Sequence, residues 1–140
     1  MDVLKKVPVR EQNPAVRATN FEEVCLGYNE EEAKNEADRC IGCKNAKCIT
    51  GCPVSINIPG FIDQVKKGDI EAASKVIGES SALPAICGRV CPQESQCEGK
   101  CIRGIKESLF LLESWSVLLL IGRKNMDSSQ KHVQIKMGKR

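Results

Sequence analysis

The chain has 140 residues, 41% of them apolar and 28% charged, which leaves room for one domain or two small ones. Its net charge of +3 is mild, and much of it sits in Lys131, Lys136, Lys139 and Arg140 near the end. Nucleic-acid binding would need a larger basic excess with interleaved aromatics, so that class is set aside, and no nucleic-acid partner is expected.

Aromatics are limited to Tyr28, Phe21, Phe61, Phe110 and Trp115, so the core must lean on aliphatic residues or on a staple; nine cysteines are the obvious one. The opening MDVLKKVPVREQN has no basic segment followed by an apolar one, from which a cytoplasmic, reducing setting is expected. There a dense cysteine pattern speaks for metal over disulfides. The run from Leu109 to Gly122 is interrupted by Glu113 and falls short of the roughly 20 apolar residues of a membrane span, so no membrane partner is expected.

In chain order, residues 1–28 carry Pro8 and Pro14 with little periodicity and read as an extended arm packing on the domain. Asn29 before Glu30, Glu31 and Glu32 has the form of a capping box, and Ala33 and Ala37 share one face of a short helix that delivers Cys40. Pro59 suits a first helical turn, Phe61, Ile62 and Val65 form an apolar stripe, and Gly68 is placed to end that helix. Asp69 can cap the next one, where Ile70, Ala73 and Ile77 recur at helical spacing up to Gly78. From Pro84 to Cys101, Pro92 with Gly88 and Gly99 predicts short turns and loops, and no segment alternates as a strand would. The expected fold is all-α: a small bundle-like helical domain over residues 29–106, organised around metal.

The cysteines form two blocks. Cys40, Cys43, Cys48 and Cys52 are spaced C-x2-C-x4-C-x3-C-P, and Cys87, Cys91, Cys97 and Cys101 are spaced C-x3-C-x5-C-x3-C. All eight are candidate metal ligands. A 4Fe-4S cube needs soft thiolates converging on its irons, and the first block is close to the bacterial ferredoxin run, whose fourth cysteine serves the other cluster. Two clusters with exchanged ligands would stitch the blocks together. Zinc is the rival, because C-x2-C is also a zinc spacing and eight thiolates could close two tetrahedral sites; the chain would then be a zinc-stabilised helical interaction domain without redox activity. The x5 gap and the C-P ending favour the cubane. Cys25 stands alone and is expected to be a small buried hydrophobe. His132, the sole histidine, lies in the basic tail with nothing to pair with, and no catalytic residue emerges. No glycine-rich dinucleotide fingerprint follows a strand, so this segment holds neither FAD nor NADPH by the usual route.

Three stretches, PVREQNPAVRATNFEEVCLGYNEEEA, RCIGCKNAKCITGCPVSINIPGFI and LPAICGRVCPQESQCEGKCIRG, together resemble the N-terminal iron–sulfur domain of the small subunit of NADPH-dependent glutamate synthase. The same domain type is known in dihydropyrimidine dehydrogenase and in NADH-dependent ferredoxin:NADP oxidoreductase. The resemblance implies a helical domain with two 4Fe-4S clusters that passes electrons between the FAD of its own subunit and a partner flavoprotein, such as the glutamate synthase large subunit. FAD and NADPH would belong to the remainder of such a subunit, and the fragment would not be active alone. It further implies that Cys40, Cys43, Cys48 and Cys101 hold one cluster, and that Cys52, Cys91 and Cys97 hold three corners of the other. Cys87 matches a family cysteine without a clear ligand role.

The family's fourth ligand to the second cluster is a Glu or Gln in a motif resembling G-E-P-V-x-I-G-x-L-E-R-F-V-A-D, and here the chain departs, reading KESLFLLESWSVLLLIGRKNMDSSQK from Lys106. Taking each codon of residues 107–122 with the last base of the one before, allowed codons spell G-E-P-V-x-I-G-K-L-E-R-F-V-A-D-W. Residues 107–140 are therefore expected to be an out-of-frame, poorly packed tail, with the lost glutamate in register with Ser116. The coding DNA decides this: a shifted frame that fails to encode the motif removes the idea. The second cluster is then expected to be incomplete unless Glu113, Ser116 or water substitutes.

Overall fold

The structure is a computed structural model that describes residues 5–105. Met1 to Leu4 of the arm, the expected out-of-frame tail with Glu113, Ser116 and His132, and the apolar run from Leu109 lie outside the described residues. Among the described residues the protein is mostly helical, with six α-helices and one two-stranded ribbon, and no helix is long and apolar enough to cross a membrane.

The arm is less extended than its sequence predicts. Strand β1 (Arg10–Glu11) pairs antiparallel with β2 (Cys25–Gly27), and helix α1 (Pro14–Arg17) lies between them. Asn13 caps α1 by accepting from the Ala15 N–H at 2.9 Å, which turns the chain back on itself. Strands of two and three residues are too short to leave an alternating pattern.

Helix α2 (Glu30–Ala37) opens on a reciprocal capping box: the Glu32 N–H donates to Asn29 Oδ1 at 2.8 Å and the Asn29 N–H donates to Glu32 Oε2 at 2.8 Å. Helix α3 (Lys47–Gly51) is a single turn within the first cysteine block. Helix α4 (Ile58–Lys66) carries Pro59 in its first turn, and its start is capped by Asn57, which accepts from the Gly60 N–H at 3.1 Å. Gly68, at φ +79°, reverses the chain into α5 (Ile70–Gly78), where Asp69 accepts from the Ala72 N–H at 2.8 Å. Helix α6 (Pro84–Val90) opens the second block and a closing 3-10 turn (Ile102–Ile105) follows it.

Helices α4 and α5 pack together, with α2 against α4. Phe61, Ile62 and Val65 meet Ile70, Ala73 and Ile77, with Ala33, Ala37, Tyr28 and Ile56 completing the core. Each large side chain fully buried there contributes about 1.5–3 kcal/mol. Cys40, Cys52 and Cys101 pack on the edge of this core, so the helices both form the hydrophobic centre and back the thiol-bearing loops.

A buried polar link sits beside it. Glu36 and Arg39 are 2% and 1% exposed, and the Arg39 guanidinium donates to Glu36 Oε1 at 2.5 Å. The second carboxylate oxygen, Oε2, accepts from the Val7 N–H at 3.0 Å, and the Tyr28 hydroxyl donates to the Val7 carbonyl at 2.5 Å, which fastens the arm to α2. Arg103 Nε donates to the Arg39 carbonyl at 3.0 Å, joining the end of the second block to the residue before Cys40.

Candidate metal centre

The helix ends place the thiols. Cys40 lies just past the end of α2, and Gly42 at φ +60° lets the chain turn tightly between Cys40 and Cys43. Cys48 lies in α3 and Cys52 is its C-cap; Cys87 lies in α6 and Cys91 is its C-cap. Cys97 and Cys101 sit in tight turns after α6, where the Cys101 N–H donates to the Glu98 carbonyl at 2.8 Å.

What joins the two blocks is a close backbone approach at Gly51. A Cβ on Gly51 would lie 2.8 Å from the Gln96 carbonyl oxygen, so any larger residue would push apart the segments carrying Cys52 and Cys97. The result is one cavity of about 190 Å³ with Cys40, Cys43, Cys48, Cys52, Cys91, Cys97 and Cys101 in its wall. Cys87 is not part of that wall; its sulfur lies 3.7 Å from Ser81 Oγ and hydrogen-bonds Cys91. Cys25, expected to be buried, is half-buried in β2, remote in the chain from either block.

The wall thiols fall into two neighbourhoods. Burial, then the adjacent Cys101 and Cys40, pushes the Cys48 thiol up to about 11. Burial also raises Cys101, which lies in the field of Cys40 and Cys43. On the other side, burial and then Glu98 push Cys97 up to about 12, with Cys52 adding to the shift, while burial and then Cys87 raise Cys91, again beside Cys52. Such thiols are protonated when free at neutral pH, and a metal that takes them as thiolates releases those protons.

Backbone amides converge on the same sulfurs: those of Cys48 and Ile49 on Cys48, of Cys97 and Glu98 on Cys97, and of Arg103 and Gly104 on Cys101. Lys47, Lys100 and Arg103 stand in the wall as positive charge. Among the described residues no three Cys, His, Asp or Glu side chains gather closely enough for a single ion. The thiols instead ring a space. Soft donors spread around a cavity, with amide N–H groups aimed at sulfur, fit a polynuclear iron–sulfur group.

Sequence reasoning missed two features of the wall. Gln93, 2% exposed, sits in it with no hydrogen-bond partner for Oε1 among the described residues, and Glu98, 3% exposed, lies beside Cys97. Neither position has a periodic signal, because both belong to irregular turns whose side-chain direction only the folded backbone defines.

Fold and cavity together define a helical domain built to hold an iron–sulfur cofactor through cysteine. Residues 17–115 match the family described as dihydropyrimidine dehydrogenase domain II, 4Fe-4S cluster, and the chain belongs to that family. The match reaches past Lys106 into the segment whose reading frame the sequence calls into question. The chain is 37% identical over 98 residues to the glutamate synthase [NADPH] small chain of Escherichia coli, covering 70% of this chain and 21% of that protein. It is 39% identical over 102 residues to the corresponding chain of Halomonas elongata, covering 72% and 21%. A Salmonella typhi homologue of the NAD-dependent dihydropyrimidine dehydrogenase subunit PreT is 35% identical over 83 residues, covering 59% and 20%. The chain thus spans about a fifth of the length of these relatives.

Proposed function

We propose that this domain is an electron relay with two 4Fe-4S clusters, one on Cys40, Cys43, Cys48 and Cys101 and one based on Cys52, Cys91 and Cys97. The observation that carries the proposal is the way the two thiol neighbourhoods interlock. Cys48 and Cys52 are four residues apart across α3, and Cys97 and Cys101 are four apart in the second block. Along α3 that separation rises about 6 Å, and the tight turns between Cys97 and Cys101 keep those two near each other, so each block hands neighbouring thiols to both centres.

Bound clusters supply one-electron chemistry at potentials set by net charge, hydrogen bonds to sulfur and exposure. The chain's own groups act on those terms. The amides of Ile49, Glu98, Arg103 and Gly104 stabilise negative charge on sulfur, and Lys47, Lys100 and Arg103 favour the reduced, more negative state. The names of the relatives, a glutamate synthase [NADPH] small chain and a subunit of an NAD-dependent dehydrogenase, support a place between an FAD that takes electrons from NAD(P)H and a partner flavoprotein such as the glutamate synthase large subunit. FAD and NADPH would be bound by a further part of such a protein.

Anaerobic purification of the full chain tests this. A brown protein whose visible absorbance bleaches with dithionite is expected. A colourless protein with stoichiometric zinc would make it a metal-stapled interaction domain instead.

A further inference from the structure

We infer that Lys66, which lies outside the cavity wall, is a positioning residue that raises the reduction potential of the first centre alone, by holding an unpaired positive charge against the peptide of Cys40. The inference rests on the iron–sulfur reading of the cavity. Lys66 Nζ donates to the Cys40 carbonyl at 2.6 Å, a contact made 26 residues back along the chain. Among the described residues Lys66 forms no ion pair.

Its place at the end of α4 does not by itself call for this contact. A basic side chain suits the carbonyl end of a helix, and Lys67 serves there in the ordinary way, 60% exposed and paired with Asp63 one turn back at 2.5 Å. Lys66 is half-buried and reaches instead to the loop that begins the first cysteine block. Taking an ammonium partly out of water against a single neutral acceptor costs free energy that an ion pair would offset. A negatively charged cluster on Cys40 supplies that compensation.

The backbone keeps the charge at a fixed distance from the first thiol set. The Cys40 N–H donates to the Ala37 carbonyl at 2.9 Å, and the preceding Arg39 carbonyl accepts Arg103 Nε at 3.0 Å. With its own carbonyl held by Lys66, Cys40 is tied on both sides, and it packs on the core to which α4 contributes. Lys47 and Lys100, in the wall, are exposed, so water and salt screen them. A half-buried charge is screened less, and it favours the reduced cluster, which carries one more negative charge. Lys66 makes no hydrogen bond to Cys52, Cys91 or Cys97, so the effect falls on one centre.

The test is an anaerobic redox titration of the full chain, reconstituted with iron and sulfide, reduced stepwise with dithionite and read by electron paramagnetic resonance. Lys66→Met should lower one midpoint potential and leave the other in place, with iron per chain unchanged. Lys66→Arg, which keeps the charge, should hold the unaltered value, and Lys67→Met should move neither midpoint. Lys66→Gln should give the same downward shift, and it covers the case in which Lys66→Met does not load. The shift should persist when Cys52→Ala and Cys97→Ala are added, since those exchanges spare the first thiol set. Two unmoved midpoints, equal shifts in both, a shift absent from that background, or an arginine variant as low as the methionine one overturns the inference and leaves the cluster reading intact. Loss of cofactor from both uncharged variants does the same, by making the contact purely structural. An unaltered protein that takes up no iron–sulfur chromophore overturns the cluster reading and the inference with it.

Discussion

Glu36→Ala is expected to lower the unfolding free energy by about 3–5 kcal/mol, the cost of stranding one member of a buried ion pair. Glu36 and Arg39 have almost no contact with solvent, so neither charge can be rehydrated when its partner is removed. The carboxylate also accepts the Val7 N–H at 3.0 Å, and the Arg39 carbonyl accepts Arg103 Nε at 3.0 Å, so the arm and the end of the second block loosen together. Because Cys40 is the next residue, and its carbonyl accepts Lys66 Nζ at 2.6 Å, the damage should reach the first thiol set as faster loss of cofactor. Urea unfolding by circular dichroism measures the effect as a lower midpoint at unchanged slope. The double exchange Glu36→Leu with Arg39→Met should recover most of the loss, since it removes both charges. A penalty below about 1 kcal/mol for Glu36→Ala would mean that water reaches the pair.

The second large effect is a halving of iron content by pairs of cysteine substitutions chosen across the blocks. Cys40→Ala with Cys101→Ala should remove the first centre and leave about four irons, and Cys52→Ala with Cys97→Ala should remove the second and leave the other four. Cys97→Ala with Cys101→Ala takes one thiol from each neighbourhood and should disturb both signals. If each block instead served its own cluster, the first two pairs would each damage both centres and the last pair only one. The pattern of lost signals over the three variants therefore reads the ligand grouping directly, and Cys25→Ala should leave every signal in place.

Much of the architecture is legible locally. Asn29 with Glu32, Pro59, Gly68 and Asp69 act within four residues of the backbone groups they cap or turn, and the stripes Phe61, Ile62, Val65 and Ile70, Ala73, Ile77 bury the faces their spacing defines. The ribbon in the arm is not legible in this way. Two short strands are held by pairing with each other rather than by any pattern within either, and the extended reading misses the turn at Asn13.

At the site, spacing identifies thiols suited to a cubane, but it does not say which thiol meets which. That depends on two segments more than forty residues apart touching at Gly51 and Gln96, a contact made possible by a missing side chain and not by any repeat. The burial of Glu36 with Arg39 and the inward carboxamide of Gln93 are likewise invisible in a linear reading, where all three pass for ordinary surface polar residues. By itself the sequence determined the helices, their caps and the chemistry of the donors, because these are set by neighbours along the chain. The tertiary structure decided which thiols share the cavity wall, the anchoring of the arm and the polar lining of the cavity, because those depend on which distant surfaces exclude water from one another.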